Sequence, residues 1–169
     1  AVTAGDEINY QLVTGATGTS LTIWLWQVKS ASVGRQLAAT DVDGVAISAD
    51  TYNGAEGFLV PDTTESRSQK TARSSFTAKN MFVYVSAHGA SSGVNIYLRK
   101  NGANSALTVS IAASTTGVFE DTTNTVDYVA TDTYNWFIDH GGGAGSITLT
   151  IVGFELAQPA AAGRRVFVT

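Results

Sequence analysis

The sequence predicts an all-β fold, an antiparallel β-sandwich or jelly roll. Three observations predict it. The first is Val94 to Ile111, where Val94, Ile96 and Leu98 alternate with Asn95, Tyr97 and Arg99, and Leu107, Val109 and Ile111 resume the alternation beyond Asn101-Gly102. A two-residue period marks a strand with one buried face, and Asn-Gly accepts the positive φ angles of a tight hairpin turn. The second is the recurrence of short strands of this kind at near-regular spacing, with turn residues between them. The third is the lack of any amphipathic helical pattern.

Taken in order, residues 1–28 open on the turn Ala4-Gly5-Asp6. Ile8, Tyr10 and Leu12 then alternate, a flexible loop Thr14 to Gly18 follows, and Leu21, Ile23 and Leu25 make a second strand. Its other face carries Trp24, Trp26 and Val28, so the strand is expected to be covered on both sides. Residues 29–56 read as a connector with one short strand, although Val33 to Ala39 also suits a short helix. Residues 57–156 form the main domain. Gly57 to Val60 is a strand stopped by Pro61-Asp62, and Thr63 to Lys79 is a polar, basic run that reads as a solvated loop and strand edge. Met81 to Ala87 is apolar on both faces, as suits a central strand.

After the hairpin, Gly117 to Glu120 and Thr125 to Ala130 flank the turn Asp121-Thr122-Thr123-Asn124. Tyr134, Trp136 and Ile138 share one face, and Gly141 to Gly145 is a glycine-rich loop. In Ser146 to Leu156 the inward phase switches from Ile147, Leu149 and Ile151 to Val152, Phe154 and Leu156, which predicts a bulge near Gly153. Residues 157–169 are a tail.

Composition narrows the function classes. The chain has 169 residues, enough for one domain with a full core. Charged residues make up only 14% against the usual quarter, and Thr, Ser, Gly and Ala take their place. Such a surface is common in secreted β proteins and in virion parts that bury much of their surface in assemblies. The net charge of −4 gives no reason to expect nucleic acid. With no Cys there is neither a disulfide framework nor thiolate chemistry, which fits assembly in a reducing cytoplasm. No stretch predicts membrane insertion.

The chain contains an internal repeat. With Asp6 set over Asp132 and no gap, Asn9 falls on Asn135, Tyr10 on Trp136, Leu12 on Ile138 and Gly15 on Gly141. Ser20-Leu21-Thr22 falls on Ser146-Ile147-Thr148, Ile23 on Leu149, Leu25 on Ile151 and Val28 on Phe154. Residues 1–28 therefore read as an N-terminal β-hairpin that repeats the last two strands of the main domain. Either the chain is a window on a tandem array, or the hairpin is completed by another subunit or docks as an appendage. A lone hairpin is marginal in water, so it is expected to be docked.

The runs LRKNGANSALTVSI, TTGVFEDTTNTVDYVATDTYNWFI and GSITLTIVGFEL resemble a domain of bacteriophage virion proteins, a jelly roll of the tumour-necrosis-factor/C1q (TNF/C1q) type. The resembling pieces are Leu98 to Gly102, Leu107 to Ile111, Asp121 to Val126, Asp132 and Phe154-Glu155. One departure is Ala130-Thr131-Asp132, where the family pattern reads Ala-Gly-Asp, as Ala4-Gly5-Asp6 does. The resemblance implies a structural or adhesive virion part, often a trimer, on tail fibres or capsid surfaces. Its motif residues belong to turns and core, so it carries over no catalytic residue.

Chemical motifs are sparse. His88 and His140 each end a strand before a glycine and read as solvated strand ends. Asp139-His140 beside a serine-rich surface hints at a hydrolytic triad, but a triad is a matter of geometry that the sequence does not supply. Asp41-Val42-Asp43-Gly44 lacks the further ligands of a calcium loop, and Glu120-Asp121 with Asp127 is a weak calcium candidate. No catalytic residue, metal ligand or cofactor is therefore assigned. Tyr84, Tyr97 and Tyr128 are placed opposite the core face and, with Trp24 and Trp26, are the expected subunit-interface residues.

The expected function is thus a non-enzymatic, oligomeric bacteriophage protein, a trimer that decorates or cements the virion surface after assembly in the host cytoplasm. Its expected partners are copies of itself and other virion proteins such as the major capsid protein. The alternative is a tail-fibre receptor-binding module that recognises host surface glycan through Gly89 to Gly93, Ser114 to Gly117 and Gly141 to Gly145.

Overall fold

The computed structural model describes residues 35–41, 45–58 and 61–157. They form β1 (Arg35–Asp41), β2 (Ala46–Ile47), β3 (Thr51–Asn53), β4 (Gly57–Phe58), β5 (Lys70–Thr71), β6 (Phe76–His88), β7 (Val94–Lys100), β8 (Ala103–Ile111), β9 (Gly117–Tyr128), β10 (Thr133–Asp139) and β11 (Ile147–Ala157). One turn of 3-10 helix, Glu65–Arg67, is the sole helical element among the described residues.

The strands make two sheets. In the first the order is β4-β1-β11-β6-β9, with β2 also on β11; in the second it is β3-β10-β7-β8, with β5 also on β10. All pairings are antiparallel except a two-residue parallel contact between β1 and β4. The pairs β1–β11, β3–β10, β6–β9 and β7–β8 are nested around one point, the turn Asn101-Gly102. The chain is thus one long ribbon folded over itself, which is the jelly-roll arrangement. Asn101 and Gly102 have φ of 51° and 79°, as a two-residue hairpin turn requires.

The core lies between the sheets. Met81, Val83 and Val85 of β6 and Leu149, Val152 and Phe154 of β11 face Ile96 and Leu98 of β7, Val109 of β8, and Trp136 and Ile138 of β10. Aromatic rings close one part of it. Phe76 stacks on Tyr128 at 4.8 Å and meets Tyr134 edge-on at 5.6 Å.

Several expectations change against this frame. The segment 29–56, read as a connector with one short strand, supplies three, β1, β2 and β3; β1 occupies residues that also suited a short helix and pairs with β11 along seven registered positions. The additional strands are not legible locally because their pairing is non-local: Arg35 meets Ala157. A register shift falls next to Gly153, between Gly153 and Glu155, as expected, but the inward phase of β11 already switches at Thr150, between the Leu149–Val85 and Ile151–Tyr84 pairs. The predicted turn at Asp121 is an insertion within β9, looped out where β6 passes from Lys79 to Met81. Tyr128 is a core residue, 1% exposed, and not the surface residue expected. Its strand changes phase across the Asp121 insertion, which turns Tyr128 inward. Residues 1–28, with Trp24 and Trp26, and residues 158–169 lie outside the described residues.

Candidate functional site

Three surfaces stand out, two sheet faces and one loop end. On the outer face of the first sheet, Ile151, Tyr84 and Val118 are registered neighbours across β11, β6 and β9. Tyr84 is 41% exposed and Val118 64%. Directly opposed side chains of this size interact and form one continuous apolar row. The next row holds Gly153, Phe82 and Glu120. Beyond it the face turns polar: Asn80 donates to Glu155 at 2.7 Å and Lys79 pairs with Glu155 at 3.6 Å. A contiguous apolar row on a surface carrying few charges is a feature of contact surfaces.

The outer face of the second sheet carries a different arrangement. Phe137 is registered between Tyr52 and Tyr97 and stacks on both, at 4.9 Å and 6.2 Å. The guanidinium of Arg99 lies 5.5 Å from the Tyr52 ring centre and 5.3 Å from that of Phe137. Arg99 also donates to Glu65 Oε1 at 2.6 Å, to Asn104 Oδ1 and to the Gly102 carbonyl. The rings use their faces on one another and on Arg99. This row is a satellite cluster that stiffens the sheet, with ring edges turned to solvent. Phe137 and Tyr97 were legible from sequence, since both stand opposite the core phase. Tyr52 was not, because its strand is only three residues long.

Tyr84 and Tyr97 therefore lie on opposite faces of the sandwich. One flat interface cannot use both, whereas a cyclic trimer, which joins two different patches, can.

The third surface is the end of the sandwich where the loops 89–93, 112–116 and 140–146 come together. Ser92 Oγ donates to the His140 carbonyl at 3.1 Å and accepts from Gly143 N at 3.1 Å. Ser91 Oγ accepts from Ala144 N at 3.0 Å, and Ser91 N donates to the Ala144 carbonyl at 2.8 Å. Asp50 Oδ1 accepts from His140 N at 2.9 Å. A shallow cavity of about 410 Å³ sits here, lined by Ser48, Ala49, Asp50, His140, Gly142 and Gly143.

The histidines differ from expectation. His88 and His140 are 8% and 1% exposed, buried where solvated strand ends were expected. The Nε2 of His140 has no hydrogen-bond partner, so no serine is bonded to it as a nucleophile. Asp139 instead accepts from Gly141 N at 3.1 Å. Ser92, Asp139 and His140 are thus neighbours without the linkage of a triad. Among the described residues, no three His, Cys, Asp or Glu side chains come together to hold a metal ion.

Two carboxylates of the calcium candidate, Asp121 and Asp127, are committed to the fold. Burial pushes the Asp121 carboxyl up, but hydrogen bonds from the Asn124, Thr108 and Thr123 amides and the Asn124 side chain outweigh it and hold it below the usual range. Asp127 accepts from Thr77 at 2.5 Å. Asp132 accepts from Val129 N, Asn101 Nδ2 and Lys100 Nζ, and these hold its carboxyl at about 2. Asp121 and Asp132 close turns, as short polar side chains do where backbone amides are left open, whereas Asp127 bonds across the β6–β9 pair.

The fold and its surfaces define the class: a jelly-roll β-sandwich whose ionisable groups serve turns and whose distinctive features are surfaces. No protein-family model matches the chain, and no curated protein matches it. Among the described residues no helix is long and apolar enough to cross a membrane.

Proposed function

We propose that this chain is a non-enzymatic structural component of a bacteriophage virion that acts as a homo-oligomer, a trimer, on the particle surface. The observation that carries the assembly part is the row Ile151–Tyr84–Val118 on the first sheet, in which Tyr84 and Val118 are exposed and Ile151 is half-buried. The virion part rests on the sequence resemblance around Leu98 to Gly102 and Asp121 to Val126, and on the low charge. The mechanism is burial. Covering side chains of this size contributes about 1.5–3 kcal/mol each at full burial, and several such groups per interface hold subunits together. Other virion proteins, such as the major capsid protein, are the partners this reading implies.

The test is solution mass by light scattering, on the full chain and on a Tyr84→Lys, Val118→Lys variant. The expected result is a trimer that the double substitution converts to folded monomers, which still unfold in one cooperative transition but at a lower midpoint. A monomeric unmutated chain at micromolar concentration would remove the basis of the assembly reading.

One observation favours a second reading, a receptor-binding module for host surface glycan. The loops 89–93, 112–116 and 140–146 meet at one end, beside a cavity with the Asp50 carboxylate and glycine backbone on its walls. Carboxylates and backbone amides are suited to sugar hydroxyls. Absence of binding by the purified oligomer to host cells and to an array of surface glycans would end this reading.

A further inference from the structure

We propose that Asn101-Gly102 is a latent self-modification site: the backbone nitrogen of Gly102 displaces ammonia from the Asn101 side chain when the turn is open, and Asp132 and Thr133 block that reaction in the folded chain. The inference is independent of the virion reading. It joins the chemistry of an Asn-Gly pair to the way this fold holds one.

The reaction needs only the chain and water. The Gly102 nitrogen attacks Asn101 Cγ, and the new C–N bond closes a cyclic imide. The Cγ–Nδ2 bond breaks, and ammonia leaves with the proton that the Gly102 nitrogen gives up. Water then opens the imide at either carbonyl, leaving aspartate or isoaspartate. A glycine after the asparagine favours the attack, because no Cβ shields the nitrogen. The chain has another such pair, Asn53-Gly54, but Asn53 is fully buried. Asn101 and Gly102 are both exposed, so burial does not protect them.

Hydrogen bonds do. Asn101 N donates to the Thr133 carbonyl at 2.9 Å, Asn101 Oδ1 accepts from Thr133 N at 2.8 Å, and Asn101 Nδ2 donates to Asp132 Oδ1 at 2.7 Å. The Gly102 carbonyl accepts from Arg99. The φ angles of 51° and 79° put both residues in the left-handed region, as in a type I′ turn. With Asn101 in that region the Gly102 nitrogen lies anti to Cβ across the Cα–C bond. Ring closure requires rotation about that bond and of the side chain. The rotation undoes the turn and takes the carboxamide off Asp132 and Thr133.

The product does not fit the turn it came from. In aspartate, an oxygen without a proton replaces the Nδ2 that faces Asp132 Oδ1. Asp132 is itself fixed by Val129 N at 2.9 Å and by Lys100 Nζ at 3.1 Å, so it has no room to withdraw, and one ammonium then serves two carboxylates. In isoaspartate the main chain runs through Cβ, which lengthens a turn that has room for only two residues. The damage falls on the point around which β1–β11, β3–β10, β6–β9 and β7–β8 are nested. A chain left unfolded therefore loses its ability to close the central turn, and a folded chain keeps it.

The test is site-resolved mass spectrometry of the full chain held in mildly alkaline buffer, following amide-to-acid conversion at Asn101. Conversion should be at least about tenfold slower in the folded chain than in urea. Asp132→Ala should speed it about tenfold in the folded state, as loss of a charge-assisted bond implies. Gly153→Ala, which loosens the fold away from the turn, should leave it unchanged. Equal rates with and without urea, or equal rates in the two variants, would overturn the proposal. Thermal unfolding at neutral pH tests the product. Asn101→Asp should lower the midpoint, and Asp132→Asn should cost less in that background than in the unmodified chain, because it removes the facing charge. An Asn101→Asp chain as stable as the unmodified one would equally overturn it.

Discussion

The hydroxyl of Tyr128, on β9, donates a 2.9 Å hydrogen bond to the carbonyl of Arg99, on β7 in the opposite sheet. The bond ties the two layers together beside the Phe76 and Tyr134 rings. Burial, reinforced by the nearby Asp132 charge, pushes the Tyr128 phenol up from its ordinary value, so it stays a donor. Tyr128→Phe removes this bond and should cost about 0.5–1.5 kcal/mol. Tyr128→Ala also empties a core site and should cost about 3–5 kcal/mol. Urea denaturation measures both, and a neutral Tyr128→Phe would mean that the carbonyl finds water.

Gly153 lies under Phe82. A Cβ there would stand 2.5 Å from the Phe82 ring and 2.9 Å from the Ala38 carbonyl oxygen. Gly153→Ala should therefore destabilise by about 1–3 kcal/mol, as overpacking does. Adding Phe82→Ala should recover only part of that, since the Ala38 backbone stays in place. Full recovery in the double-mutant cycle would show that the ring alone sets the limit.

Arg99 serves three acceptor groups, Glu65, Asn104 and the Gly102 carbonyl, and two rings at once. Its planar fork reaches Glu65 while its face lies over Tyr52 and Phe137. A lysine matches the charge but not the fork or the stacking. Arg99→Lys should cost about 1–2 kcal/mol, from one charge-assisted bond and one cation–π contact. Thermal unfolding reads this out, and an unchanged midpoint would reduce the cluster to surface decoration.

Acid should loosen the turn around Asp132. An unfolded aspartate titrates near about 3.9, and the folded carboxyl is held at about 2. The folded chain therefore takes up this proton less readily than the unfolded one. The stabilisation is complete above about pH 4 and is lost as pH falls toward about 2. Asp121 acts in the same direction. Asp132→Asn should lower stability at neutral pH and flatten its fall between about pH 4 and 2. An equally steep fall in the variant would assign acid sensitivity to other carboxylates.

The sequence by itself determined the all-β class, the hairpin at Asn101-Gly102 and most of the core face. These follow from local rules. A two-residue period decides which side chains turn inward, and a turn residue with positive φ decides where the ribbon folds back. The face carrying Tyr84 was legible for the same reason. What only the tertiary structure decided is non-local. β1 to β3 looked like a connector because strands this short or this polar are made by the neighbours they pair with, more than a hundred residues away for Arg35 and Ala157. Tyr128 moved from surface to core because the insertion at Asp121 changed the phase of its strand, and an alternation rule carries no information across a bulge. His88, the last residue of β6, and His140, just after β10, are buried, which a place at a strand end does not reveal. The separation of β10 from β11 into opposite sheets came from the same source. A strand's partners are chosen by the edges and apolar faces the whole ribbon presents, and adjacency in sequence does not reveal them.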